Sequence, residues 1–226
     1  MTGVMEVASA TRGSLALPFF GALALAAAVM AMMVSYFVDQ ADLTYSLILP
    51  LSYLLLGVLV KYGDEAFDSC AYSRRAALLL ALPAGLWMGA LAVLDNGTAV
   101  IFIGLLLSLL IAGKYDNIAF RIAFLAAIAL SLSAVLLHGQ ISLAAIAVVF
   151  ALSLLDEKVD AAPADEDVSL SARIMRQRPL LKMGVAALCI VGALPSFMYL
   201  FAFLSFDFGY SMVEVASTSR CDNGRI

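Results

Sequence analysis

The sequence from Ala76 to Gly113 is AALLLALPAGLWMGALAVLDNGTAVIFIGLLLSLLIAG, and its only charged residue is Asp95. A helix needs about 20 mostly apolar residues to cross the hydrocarbon core of a bilayer. The two apolar runs in this stretch, 76–94 and 98–113, are separated by the short polar segment 95–97. Because backbone N–H and C=O groups in lipid must bond within their own segment, the stretch predicts two transmembrane helices joined by a tight connection.

Apolar runs of this kind occur along the whole chain. Hydrophobic residues make up 64% of the 226 positions and charged residues 13%, whereas soluble domains are about half apolar and about one quarter charged. We predict an all-α, polytopic transmembrane bundle of about seven spans, which forms a single domain. The predicted spans are 15–37, 43–60, 76–94, 98–113, 118–137, 141–155 and 180–205. The fourth and sixth are short, so they need flanking residues to complete the crossing or shelter from neighbouring helices.

The positions of lysine and arginine predict the orientation of the bundle. The N-terminal segment and the connections after spans two, four and six, with the residues beside them, hold eleven of the thirteen basic residues. The opposite connections, 39–42, 95–97 and 138–140, hold none. By the positive-inside rule the N-terminus is cytoplasmic, and with seven spans the C-terminal tail, 206–226, lies outside. The segment 156–179 is then a cytoplasmic loop.

Three helix ends on the cytoplasmic side carry related sequences. Span two ends in Lys61-Tyr-Gly-Asp-Glu-Ala-Phe67 and span four in Lys114-Tyr-Asp-Asn-Ile-Ala-Phe120, which share Lys-Tyr and Ala-Phe at the same spacing. Span six ends in Asp156-Glu-Lys-Val-Asp160, which is similar to Asp64-Glu-Ala-Phe-Asp68. We interpret these repeats as three helical hairpins of related design followed by a seventh span.

Two of these helix ends carry aspartates four residues apart, Asp64 with Asp68 and Asp156 with Asp160. Residues at that spacing share one face of a helix, where like charges repel. Carboxylates near a membrane are costly unless something compensates them. One form of compensation is a divalent cation such as Mg²⁺, which takes carboxylate oxygens and often substrate phosphates as ligands.

Basic side chains near the same helix ends offer a second form of compensation. Lys61, Lys114 and Arg121 are placed to pair with the carboxylates, or to contact the phosphate oxygens of a substrate. Further candidate ligands with acidic or polar side chains are Glu65, Asp116, Asn117 and Glu157. Tyr62 and Tyr115 are expected to orient the head group of a substrate.

The aspartate pairs resemble the two aspartate-rich motifs of the UbiA superfamily of intramembrane prenyltransferases, which follow helices two and six. In that family the motifs hold Mg²⁺ against a prenyl diphosphate whose tail lies in a lipid-facing cavity. The resemblance implies that Asp64, Asp68, Asp156 and Asp160 bind Mg²⁺. The family has more spans than the seven predicted here, and the fuller NDxxDxxxD form of its first motif is not present in this sequence.

Three functions follow as hypotheses. The first is a Mg²⁺-dependent transferase that acts on a prenyl diphosphate or a lipid phosphate at the cytoplasmic membrane face. The second is a cation-coupled transporter or channel with the same acids at its entrance, although almost no ionisable residue lies near the middle of a predicted span. The third is a non-catalytic membrane subunit. Membrane lipids are the expected partners, and no long basic tract indicates binding to nucleic acid.

Overall fold

The computed structural model describes residues 26, 29–30, 32–37, 43–69, 71–113, 117–138, 141–160 and 179–223. Within these ranges the regular structure is helical and contains no strand, as predicted. The helices are α1 Leu43–Asp68, α2 Arg74–Leu94, α3 Asn96–Ala112, α4 Ile118–His138, α5 Leu143–Asp160, α6 Pro179–Ile190 and α7 Met198–Asn223. Most of the predicted first span and of the predicted cytoplasmic loop lies outside the described residues.

Three helical segments are long and apolar enough to cross a membrane, namely Tyr45–Asp68, Arg74–Leu94 and Met198–Ser217. Other apolar helical segments, such as α3, are shorter. At 1.5 Å per residue the 17 residues of α3 extend roughly 25 Å, which is less than the hydrocarbon core of about 30 Å. The described helices therefore agree with a membrane protein, and the number of seven spans stays a prediction.

The predicted seventh span, 180–205, is two helices rather than one. α6 ends at Ile190, and Gly192 follows with a φ of 72°, a left-handed conformation that favours glycine and commonly ends a helix. α7 then continues to Asn223 through most of the predicted tail, 206–226. The prediction of a single helix is wrong because an apolar turn has the same hydropathy as an apolar helix.

The most extensive helix contacts are within three parallel pairs, α1 with α7, α2 with α4 and α3 with α5. In the first pair Tyr45 and Tyr199 lie together near the starts of the two helices, and Lys61 lies beside Tyr210 further along both. This arrangement differs from the predicted hairpins of neighbouring spans. α2 and α3 do pack together, but α4 and α5 have few contacts with each other. Parallel pairing brings the ends of α1, α3 and α5 to the same end of the bundle.

α3 lies at the centre of the described bundle. Ten of its residues are buried, and it packs against α2, α4 and α5. Its sequence is apolar on every side, which is typical of a helix that other helices surround. Neighbouring helices therefore shelter the short fourth span, which is one of the two explanations that the sequence suggested.

Candidate functional site

A cavity of about 270 Å³ lies inside the bundle, toward the end where α1, α3 and α5 finish. Six helices contribute to its wall, and most of the lining side chains are apolar. The lining residues are Leu59, Val60, Gly63, Asp64 and Asp68 of α1, Ala77, Ala81, Ala84, Gly85 and Met88 of α2, Leu105, Leu106 and Leu109 of α3, Ala119, Phe120, Ala123, Phe124 and Ala127 of α4, Ser153 and Glu157 of α5, and Phe206 and Tyr210 of α7.

Small side chains on one face of α2 line the cavity and pack closely against neighbouring helices. Ala77, Ala81 and Ala84 are three or four residues apart, so they share a face of the helix, and all three line the cavity. Ala77 and Ala81 are buried in one cluster with Ala66 of α1 and Ala119 of α4. The close packing that small residues favour in a membrane helix is therefore present, whereas the position of this face at a cavity wall could not be read from the sequence.

Three carboxylates border the cavity, those of Asp64, Asp68 and Glu157. Asp68 is exposed at the end of α1, and Asp64 lies one turn deeper. Glu157 is only 3% exposed. One turn before it on α5, the Ser153 hydroxyl bonds to that of Ser108 on α3 at 2.6 Å. The structure thus brings the ends of predicted spans two and six to one cavity.

Lys61 binds carboxylates of its own helix. Its Nζ lies 2.9 Å from Oε1 of Glu65 and 3.5 Å from Oδ2 of Asp64. The same ammonium group lies 4.9 Å from the centre of the Tyr210 ring, which is a cation–π distance. Of the two forms of compensation predicted for these acids, the structure has the ion pair with Lys61.

Asp156 has a different position from the one predicted. Its side chain is 1% exposed and accepts hydrogen bonds from the backbone N–H groups of Leu180, at 3.3 Å, and Leu181, at 2.8 Å. A carboxylate at a helix N-terminus satisfies free N–H groups and complements the helix dipole. Consecutive helical residues point about 100° apart, so Glu157 lines the cavity while Asp156 holds the start of α6.

The remaining predicted residues are dispersed. Tyr62 packs against Tyr72 with ring centres 4.7 Å apart. Asn117 caps α4, where its Oδ1 accepts the N–H of Phe120 at 2.7 Å. Arg121 is exposed. Outside the described residues lie Lys114, Tyr115, Asp116 and the side chain of Asp160.

The predicted magnesium ligands are not assembled as a set among the residues that the structure describes. Those residues contain no group of three or more His, Cys, Asp or Glu side chains close enough to hold a metal ion. Asp64 is paired with Lys61, and Asp156 bonds to the backbone of α6. Because the side chain of Asp160 lies outside the described residues, the four-aspartate magnesium site stays a prediction.

A second carboxylate site lies at the opposite end of the bundle, and sequence reasoning treated it only as a connection. Asp95 lies between α2 and α3. Its Oδ2 accepts the N–H of Thr98 and its Oδ1 accepts the hydroxyl of Tyr199, both at 2.7 Å. Tyr45 also lies within hydrogen-bonding reach of Asp95. The arrangement ties the starts of α1, α3 and α7 together.

Buried apolar side chains separate the two carboxylate sites. The rings of Tyr53 and Phe102 stack with centres 4.7 Å apart, and both residues are fully buried. Ile101 and Leu56 are also fully buried. The described residues at this level therefore form a packed core between the cavity and Asp95.

No protein-family model, curated protein sequence or solved structure matches this chain.

Proposed function

We propose that this protein is an integral membrane protein that binds one amphiphilic molecule in the central cavity. The apolar chain of the ligand lies between α1, α2, α3 and α4, and its head group lies at the carboxylates of Asp64, Asp68 and Glu157. The observation that carries this proposal is a cavity with mostly apolar walls, whose described acidic side chains lie at the ends of α1 and α5. Ligand pockets commonly combine apolar walls with a few polar groups that fix orientation.

The dimensions of the cavity support a chain-like ligand. On α2 the lining runs from Ala77 to Met88, and these eleven steps correspond to roughly 16 Å along the helix axis. The volume of about 270 Å³ is close to the lower end of ligand pockets, which hold roughly 300–1,000 Å³. A single alkyl or prenyl chain suits such a long, narrow space better than a folded or multi-chain lipid.

The head-group end is proposed to face the cytoplasm. This orientation follows from the lysine and arginine distribution of the sequence. At this face an amphiphile can enter with its head group in water, where Asp68 is exposed, while its chain passes Asp64 into the apolar part.

A transferase that depends on Mg²⁺ is the more specific form of this proposal. A bound divalent ion would neutralise the phosphate of a lipid substrate. That chemistry needs several ligands converging on one point, and the candidate ligands that the structure describes do not include the side chain of Asp160. We therefore propose ligand binding and derive no catalytic step.

A channel needs a continuous polar path, which the described residues do not offer. The stacked rings of Tyr53 and Phe102 lie between the acidic cavity and Asp95. A non-catalytic subunit needs no internal cavity. The amphiphile-binding function is therefore the one that uses the most specific feature of the molecule.

The proposal is tested by filling the cavity. The full chain is reconstituted in lipid nanodiscs, which contain no single-chain detergent that would compete for the cavity. Saturable binding of three octyl amphiphiles is then measured, one with a trimethylammonium head, one with glucose and one with phosphate. Ala84, which lines the cavity and is buried, is changed to Phe. On the same helix Leu79, which is 78% exposed, is changed to Phe as the matched control.

We expect at least one amphiphile to bind wild type and Leu79→Phe with one site per chain. Ala84→Phe is expected to lose that binding, because the phenyl ring takes the space of the chain. Equal saturable binding to Ala84→Phe and wild type, or no saturable binding of any of the three to folded wild type, contradicts the proposed function.

A further inference from the structure

We infer that the head group recognised at this cavity is cationic, so that the ligand is a single-chain alkylammonium or a similar amphiphilic amine. This inference rests on the proposed function and narrows it to a chemical class. It concerns the residues at the acidic end of the cavity, above all Asp64, Glu157 and Tyr210.

The charge of the lining is of one sign. Among the described residues that line the cavity, Asp64, Asp68 and Glu157 carry carboxylates, and none is a lysine or an arginine. Glu157 is a buried side chain at this wall, where a carboxylate interacts more strongly with an opposite charge than it does in water. A positive head group complements this lining without any further component.

Lys61 shows how this end of the protein binds an alkylammonium group. Its ammonium contacts two carboxylates and lies over the Tyr210 ring. Two of these three partners, Asp64 and Tyr210, also line the cavity. The Asp64 contact is long, at 3.5 Å, whereas that of Glu65 is 2.9 Å. Asp64 therefore retains oxygen acceptor capacity for a second cation on its cavity side.

Aromatic side chains at the same end favour the same class of ligand. A cation within about 6 Å of an aromatic ring centre is attracted to the face of the ring, and quaternary ammonium groups are commonly recognised in this way. Tyr210 and Phe206 line the cavity from α7, and Phe120 lines it from α4. Carboxylates combined with aromatic rings form a site for an ammonium group.

An anionic head group would meet the opposite situation. A phosphate at this position would lie beside carboxylates, and like charges repel most strongly where water is scarce. It would need a divalent cation between itself and the protein. A cationic head group needs no such ion beside these carboxylates, so the arrangement favours the cationic amphiphile.

The same three octyl amphiphiles test this inference, with octyl phosphate measured both without and with millimolar Mg²⁺. We expect octyltrimethylammonium to bind wild type at least about tenfold more tightly than octyl glucoside or octyl phosphate, whether or not Mg²⁺ is present. Asp64→Asn and Glu157→Gln are each expected to weaken octyltrimethylammonium by about tenfold, which corresponds to the loss of one charge contact. Octyl glucoside is expected to bind both variants as it binds wild type.

A matched control removes an acid outside the cavity. Asp207 on α7 pairs with Lys182, with Nζ 2.7 Å from Oδ2, and does not line the cavity. Asp207→Asn changes the net charge by the same amount, and we expect binding of octyltrimethylammonium to stay within about twofold of wild type. An equal loss in Asp207→Asn and Glu157→Gln would mean that general electrostatic attraction governs binding, which overturns the inference.

The outcomes separate this inference from the proposed function. If all three amphiphiles bind equally and Ala84→Phe abolishes their binding, the amphiphile-binding function stands and the cationic class is wrong. If octyl phosphate binds most tightly, and only with Mg²⁺, the metal-dependent lipid phosphate function replaces the cationic class. If Glu157→Gln does not fold, Asp64→Asn at the more exposed position and the amphiphile series on wild type still decide the question.

Discussion

The two ends of the bundle use similar side chains for different purposes. At one end the Asp95 carboxylate receives the Tyr199 hydroxyl and the Thr98 N–H, both at 2.7 Å, and joins three helices. At the other end Asp64, Asp68 and Glu157 border a cavity of about 270 Å³, close to the Tyr210 ring. A carboxylate beside a tyrosine is therefore not by itself a sign of function. The difference lies in whether an open space adjoins the carboxylate, as it does at Asp64, Asp68 and Glu157.

This contrast separates stability from ligand binding. Substitutions at the Asp95 end should lower the free energy of unfolding and leave the cavity intact. Substitutions at the cavity should change binding and cost little stability.

The largest effect is expected at Gly97. A Cβ at this position would lie 2.3 Å from the nearest carbon of the Tyr199 ring, so Gly97→Val forces the ring away from Asp95. We expect a loss of about 3 kcal/mol in the free energy of unfolding. Thermal or denaturant unfolding in a neutral detergent measures it.

Gly63 at the cavity is the matched glycine. A Cβ there meets no atom within 4 Å. Replacing glycine by alanine inside a helix is favourable by roughly 0.5–1 kcal/mol, so Gly63→Ala is expected to be neutral or stabilising. If both glycine variants destabilise equally, the cavity is not open at this position.

The next effect is expected at Asp95. Asp95→Ala removes the N-cap of α3 and the hydrogen-bond acceptor of the Tyr199 hydroxyl. Together these losses should lower the free energy of unfolding by about 2–3 kcal/mol. Asp64→Ala breaks a long, partly exposed ion pair with Lys61 and should cost less than about 1 kcal/mol. Measuring the free energy of unfolding of both variants under the same conditions checks which is less stable. A larger loss of stability in Asp64→Ala would contradict the proposed difference between the two ends of the bundle.

A smaller effect is expected at Asp156, which caps α6. Asp156→Ala should lower stability by about 1–2 kcal/mol, because it removes the acceptor for two backbone N–H groups. The loss should be the same with and without millimolar Mg²⁺. If Mg²⁺ stabilises wild type but not Asp156→Ala, Asp156 is a metal ligand, as the resemblance of the aspartate pairs to the prenyltransferase motifs implies.

Asp68 should have the smallest effect on stability. It is exposed at the cavity mouth, so Asp68→Asn is expected to change the free energy of unfolding by less than about 0.5 kcal/mol. Octyltrimethylammonium affinity of the same variant is expected to fall, though less than in Glu157→Gln, because water weakens the charge contact at an exposed site. A loss of stability above 1 kcal/mol would assign Asp68 a structural role.

The sequence was sufficient for the helical class because hydropathy is a local property. The apolar run that forms α3 contains no charge, and lipid or neighbouring helices are the only surroundings that suit it. Hydropathy was not sufficient at 191–197, where the chain turns between α6 and α7 while staying largely apolar. Local composition therefore predicts where helices occur more accurately than it predicts where they begin and end.

The candidate site was predictable only in part, since it depends on contacts between distant residues. The acidic ends of spans two and six were identified, and Asp64, Asp68 and Glu157 do border one cavity. Which of Asp156 and Glu157 faces that cavity depends on the rotation of α5 about its own axis, which the sequence does not specify. The parallel pairing of α2 with α4, which surrounds the cavity, is also a non-local feature.

The most direct test of the account is the location of a bound chain. An octyltrimethylammonium carrying a photoreactive diazirine at the end of its chain is cross-linked to the full protein, and the labelled residues are mapped by mass spectrometry. We expect adducts on the deep wall of the cavity, at Met88, Leu105 or Leu106, and none there in Ala84→Phe. Adducts confined to the outward-facing side chains Leu79, Leu125 and Leu136, with equal yield in both proteins, would contradict the account.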